Sequence, residues 1–301
     1  MLIILKQLFI LYVFLLIGWG FGKLKKDIVS HTQILSFLIV NLFLPAKVFK
    51  SFSTNFNKAY LFDNYKSLIV STCLLLLLVG VSIVVSKLLT KEPYERKVYR
   101  YSIVLANYAY LGYVLVENLY GDKALTSFIL FAFPFAVYTY SFGYMLLTES
   151  GTSLKRLFNP ITCGILLGAI VGLVELPIPD AALTVISSSS ACVGPLAMLL
   201  TGISLSQFKI RELVGHKMTY VVCAIRLIVM PLSIFGLFKL LRLDSLLPYA
   251  VLMASMPTGL NTIVFPKLVG QDCKTGARLA FLTHLFSCIT IPIWLTIIEF
   301  K

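Results

Sequence analysis

Three residues of MPTGLNTIVFP (256–266) have types and a spacing that could do chemistry inside a membrane. Pro257 has no N–H, so the carbonyl of Met253, four residues back, loses its helical partner. Gly259 lets the chain turn without a Cβ clash. Asn261 adds an amide with donors and an acceptor. A helix that stops at Pro257 and restarts beyond it aims its first N–H groups back at the gap, a setting that suits a carboxylate. An unsatisfied carbonyl in lipid costs several kcal/mol, so such a break survives only inside protein or against a wet cavity.

A second stretch, ANYAYLGYV (106–114), repeats the pattern with Asn107 and Gly112 but no proline. Its break is therefore expected to rest on Gly112 and the side chains around it. Tyr108, Tyr110 and Tyr113 either line a pocket there or pack. Asn41 precedes Pro45 by four residues on one helix face, and Pro195 is the corresponding kink later in the chain. Asn41 is read either as a substrate or water ligand or as one side of an interhelical hydrogen bond. Arg226, inside VVCAIRLIVMP, needs a partner or a cavity, since a charge at mid-membrane costs at least ~2.5–3.5 kcal/mol. It could attract the anion, hold a salt bridge or bond freed carbonyls. Glu117 and His284 are candidates for a coupling proton; the plainer readings are an interfacial acid and a core histidine bonded to a carbonyl. Pro266 reads as a simple kink, and SSSSA (187–191) as serines bonded to their own helix. No HExxH, GxSxG or paired intramembrane acids occur, which argues against an enzyme.

The elements that must position these residues are membrane helices. Of 301 residues, 58% are hydrophobic and 13% charged, about half the ~25% of ordinary soluble domains. The net charge of +13 falls in short clusters such as KLKK (23–26), KEPYERKVYR (91–100) and KIRE (209–212), the pattern of loops at an anionic lipid surface rather than of a nucleic-acid groove. The six cysteines have no CxxC spacing and read as small core residues, so no metal or cofactor is expected. The first apolar run lacks an A-x-A site and reads as a retained helix.

Ten apolar segments come near the ~20 residues a bilayer needs, roughly 3–22, 28–50, 66–90, 98–120, 124–147, 158–176, 181–206, 214–240, 246–269 and 275–299. Lys and Arg favour the loops after odd-numbered segments, which predicts both termini outside; the expected location is the plasma membrane. Gly18 and Gly22 recur as Gly168 and Gly172, Pro45 as Pro195, and YGDKA (120–124) as VGQDCKTG (269–276), all at a shift of about 150. The halves 1–150 and 151–301 then hold five helices each, an odd number, which makes an inverted repeat.

NLFLPAKVF (41–49), ANYAYLGYVLVENLYG (106–121), NPITCGILLGAIVGL (159–173), VGPLAMLLTGISL (193–205), IRLIVMPL (225–232) and MPTGLNTIVF (256–265) together resemble the auxin efflux carrier family in its short prokaryotic form. Each motif is weak alone; their order over nearly the whole chain is specific. The resemblance implies an all-α polytopic membrane protein with ten helices in two inverted repeats, crossing broken helices four and nine, and a scaffold of helices one, two, six and seven that can form a homodimer. It implies secondary transport of an organic anion, auxin-like or a dicarboxylate. The sequence departs from the family's fourth-helix pattern at Ala106 and Val114, where glycine and proline are usual. A transporter-derived receptor that binds the anion without moving it is the alternative. A channel is disfavoured, since too few polar residues repeat along any helix face.

Overall fold

The computed structural model describes residues 2–25, 27–151 and 158–298. Among them the chain is helical, and no strand forms beyond one isolated bridge, Ala106 opposite Thr258. The main helices are α1 (Leu2–Leu24), α2 (Thr32–Asn55), α3 (Lys58–Leu89), α4 (Pro93–Val104) and α5 (Tyr108–Thr148). They continue as α6 (Pro160–Val174), α7 (Asp180–Ser206), α8 (Lys217–Leu240), α9 (Leu247–Ser255), α10 (Asn261–Leu268) and α11 (Lys274–Ile297). Among the described residues seven of these, α1, α2, α3, α5, α7, α8 and α11, are long and apolar enough to cross a membrane. Most of α3 is apolar yet unburied, with Leu76, Val84 and Leu88 pointing outward. An apolar surface of that size needs lipid around it.

Local chemistry sets several helix ends. The Asn57 side chain accepts from the Tyr60 N–H at 2.8 Å and starts α3. Asn159 accepts from Ile161 and Thr162, and Pro160 takes the first position of α6, where no N–H is needed. Within α5, Gly121 adopts φ +81°, ψ 179°, a conformation that only glycine holds without strain, and the helix breaks there. The α-helix widens into a π turn at Ile39–Phe43, just ahead of Pro45, and at Ile225–Val229, just ahead of Pro231. Pro231 deprives the Leu227 carbonyl of its partner, and the Trp294 indole N–H donates to that oxygen at 2.9 Å.

Small residues let two helix pairs close to backbone contact. α1 lies along α7, where a Cβ on Gly18 would fall 2.3 Å from the Leu199 carbonyl oxygen. α6 lies along α2, where a Cβ on Gly172 would fall 2.2 Å from the Phe56 carbonyl oxygen. α2 also packs on the first half of α7, which joins α1, α2, α6 and α7 into one group. The remaining helices pack mainly on each other, α3 on α4 and α5, and α8 on α9 and α11. The expectation that the cysteines are core residues needs correction. Only Cys223 is buried, and Cys73 is exposed on α3; all six are free thiols. A thiol is apolar enough for a lipid-facing surface, so an apolar run does not imply burial.

Candidate functional site

The two breaks meet. α4 ends at Leu105, whose backbone is extended (φ −111°, ψ 134°), and α9 ends at Met256 (φ −67°, ψ 147°). Between the helix ends Ala106 pairs antiparallel with Thr258, and the Asn107 N–H donates to the Pro257 carbonyl at 2.7 Å. The Thr258 N–H donates to Thr283 Oγ1 on α11 at 3.0 Å. Gly259 sits against this crossing strand, with room for a Cβ only at 3.4 Å from the Ala106 oxygen.

Gly112 does not open the helix, contrary to the sequence-based expectation. Its φ of −64° and ψ of −47° are helical, and the break lies at 105–107. The cause is tertiary: the Asn107 N–H turns from its own helix to Pro257. Gly112 serves close packing instead, since a Cβ there would lie 3.0 Å from the Phe128 ring.

Each break orphans carbonyls, and Arg226 answers both. Ile103 would accept from Asn107 in an unbroken helix; Met253 would accept from residue 257, which is proline. Arg226 Nη1 donates to the Ile103 oxygen at 2.9 Å, Nη2 to Met253 at 3.0 Å and Nε to Met256 at 3.1 Å. Its side chain is buried, at 1% exposure, in the π turn of α8. Of the three roles open to it, the geometry selects the bonding of freed carbonyls, and Arg226 does not line the cavity described next. The planar guanidinium suits this task because its donors leave in several fixed directions.

Asn107 is buried and its Nδ2 lies 3.1 Å from His284 Nε2, while His284 Nδ1 lies 2.7 Å from the Ala280 oxygen. The carbonyl can only accept, so Nδ1 carries the proton and Nε2 accepts from the asparagine. Asn107→Ala is expected to lower stability by about 1–2 kcal/mol in thermal unfolding of detergent-purified protein, because it leaves a buried ring nitrogen without its donor.

A cavity of about 310 Å³ reaches the start of α10. Asn41, Tyr110, Tyr140, Asn261 and Phe265 line it, with Lys267 and Gln207 among the remaining lining residues. Lys267 Nζ donates to Gln207 Oε1 at 3.0 Å. Asn41 Nδ2 also bonds its own helix at the Phe37 oxygen, 2.8 Å away. Of the three tyrosines, Tyr110 lines the cavity, whereas Tyr108 and Tyr113 pack edge to face with each other. The structure thus brings Asn41 and Asn261 to one space, and Asn107, Gly112, Pro257, Gly259 and Arg226 are not among its lining residues. The first turn of α10 spends the Thr262 and Ile263 N–H groups on the Gly259 and Leu260 carbonyls. The helix-kink residue Pro195 and Glu117 lie at another cavity. There Lys47, buried at 1% exposure, pairs with Glu117, an interaction the sequence reading missed. A lysine inside the apolar run NLFLPAKVF was the available signal, because a buried ammonium requires a partner.

The family described as membrane transport protein matches residues 3–156 and 151–295. This chain belongs to that family. It is the auxin efflux carrier family that the ordered motifs resemble. A protein named as an uncharacterized transporter from Methanocaldococcus jannaschii is 27% identical over 303 residues, covering 95% of this chain and 96% of the relative. This member of the membrane transport protein family is therefore a multi-pass membrane protein.

Proposed function

We propose that this chain is a secondary active transporter of a small organic anion, moving it by alternating access. One observation carries the reading: a cavity ends at Asn261, where α10 restarts beside the crossing of the two breaks. The reading has ten spans, α4 with the start of α5 as the fourth and α9 with α10 as the ninth. They form two inverted repeats, 1–150 and 151–301. The reciprocal packing of α1 on α7 and α6 on α2 supports this, because a shift of about 150 exchanges the two pairs. Those four helices are then the scaffold and dimerising bundle, and the others carry the substrate.

The cavity wall favours one class of anion. Phe37, Tyr110, Tyr140 and Phe265 give it aromatic faces, and its polar groups are amides, hydroxyls and one lysine. That lining suits a single carboxylate on an apolar, aromatic body better than a dicarboxylate, which needs two cationic or anion-binding ends. The carboxylate docks on the Asn261 side chain, with Asn41 across the cavity. His284, hydrogen-bonded to Asn107 beside the crossing, is the better-placed coupling group; Glu117 is engaged by Lys47. The Lys and Arg pattern supports both termini outside, and the membrane in this reading is the plasma membrane.

Uptake of labelled indole-3-acetate, benzoate and malate into liposomes holding the purified protein tests the reading. Accumulation of the aromatic acids is expected; binding without flux favours the receptor. Asn261→Ala is expected to weaken binding and flux about tenfold or more, the effect of one hydrogen bond to a charged group, and to lower thermal stability by about 1–2 kcal/mol, because the buried Tyr101 hydroxyl also bonds Asn261. Unchanged binding and flux would place the site elsewhere.

A further inference from the structure

α2 and α7 each touch two cavities. The cavity at Asn261 meets the first half of α2, at Gln33 to Asn41, and the last turns of α7, at Leu200 and Ser204. A second cavity of about 360 Å³ meets the other half of each, at Lys47 and Lys50 on α2 and at Ser187 to Pro195 on α7. Gln33 and Lys50 are ~25 Å apart along a helix that rises 1.5 Å per residue, so the two cavities lie toward opposite membrane faces.

We propose that Lys47 is a docking point for a substrate carboxylate on the face opposite the Asn261 cavity, and that Glu117 stands in for that carboxylate in this conformation. The lining is rich in donors: two ammonium groups, the Asn118 amide and the hydroxyls of Ser187 and Ser190, against one carboxylate, Glu117. Ser190 is buried at 2% exposure, and its hydroxyl has no hydrogen-bond partner. A buried hydroxyl on a cavity wall is satisfied by water or a ligand oxygen. Lys50 sits 3.6 Å from Glu117 and 3.4 Å from Asp122, so Glu117 is shared while Lys47 depends on it.

The pair also spans the two groups of helices. Lys47 is on α2, and Glu117 is on α5, which packs with the second group. A relative movement of the groups draws Glu117 away from Lys47. The buried ammonium then needs another carboxylate, and the transported anion brings one. An anion arriving from that face competes with Glu117 and so favours the movement that admits it. This inference rests on the alternating-access reading for the class of ion and assigns new residues for its docking.

The test places Ser187→Cys in a chain whose six native cysteines are serine, in lipid nanodiscs that leave both faces open. The rate of modification by a sulfonate-bearing methanethiosulfonate is measured against sodium benzoate concentration. Glu117→Gln is expected to make benzoate protection saturable at a concentration about tenfold lower than in the parent, the effect of removing one competing charge roughly 10 Å away at an effective dielectric of about 20. The isosteric double variant Lys47→Gln/Glu117→Gln is expected to lose the protection. Should Glu117→Gln not reach the membrane, Glu117→Asp keeps the charge on a shorter arm and is expected to shift protection in the same direction. No shift in the single variants, or equal protection in the double variant, overturns the proposal. These rates report the second cavity alone, so absent flux in liposomes would count against the transport reading separately.

Discussion

Arg226→Met is expected to destabilise the protein by at least about 3 kcal/mol, because three buried carbonyls lose their donor together and each unsatisfied group costs roughly 1–3 kcal/mol. The loss exceeds that of an ordinary core substitution because no local rearrangement replaces the bonds. Met253 cannot recover an N–H from Pro257, and the Ile103 carbonyl cannot recover Asn107 while that N–H bonds to the Pro257 oxygen. Relief of the buried charge offsets part of the loss. Arg226→Lys keeps the charge but replaces a fork by one compact ammonium, so it is expected to fall nearer the methionine variant than the parent. Thermal unfolding of detergent-purified protein measures the effect. Carboxylate affinity in the fraction that stays folded separates two of the three roles considered for Arg226, carbonyl bonding and anion contact. The carbonyl-bonding role leaves affinity little changed, and direct anion contact would lower it tenfold or more, as loss of a charged hydrogen bond does.

Gly202→Leu is the second large effect. A Cβ at that position would fall 2.0 Å from the Leu15 carbonyl oxygen and 2.6 Å from the Trp19 nitrogen, both backbone atoms of α1. Backbone cannot swing aside as a side chain can, so α1 must move off α7. Overpacking of this kind costs about 3 kcal/mol or more, and in a membrane the close approach of small residues is itself a main source of helix association. Gly20→Ala is the internal control: nothing lies within 4 Å of its added Cβ, and its unfolding midpoint is expected to stay within a degree or two of the parent. A Gly202→Leu chain as stable as Gly20→Ala would show that the α1–α7 contact does not hold the group of α1, α2, α6 and α7 together.

Much of the architecture was legible because lipid imposes simple local rules. A long apolar run must satisfy its own backbone, so runs of about 20 residues read as helices before any contact is known. The proline at 257 announced an orphaned carbonyl at Met253, and an asparagine in each broken stretch pointed to the place where the breaks meet. The position of the first break was not legible. Leu105, Ala106 and Asn107 carry no breaking signal, and the chain opens there because an N–H finds a better partner on another segment. Reasoning from the repeat placed the break at Gly112, the residue with the right propensity, which packing uses otherwise. The pairing of Lys47 with Glu117 was hidden in the same way by a separation of 70 residues.

The sequence by itself determined that this chain lives in a membrane, that it is built of helices, which family it belongs to, and which backbone groups its own helices could not satisfy. Those are consequences of composition and covalent structure, read over a few neighbouring residues. Only the tertiary structure decided what satisfies those groups: Arg226 for Ile103, Met253 and Met256, Trp294 for Leu227, and Pro257 for Asn107. It also decided that Asn261 and Asn41 face a shared cavity while Asn107 turns to His284. A hydrogen bond forms over about 3 Å in space regardless of distance along the chain, so the partner of a broken helix is a property of the packed molecule.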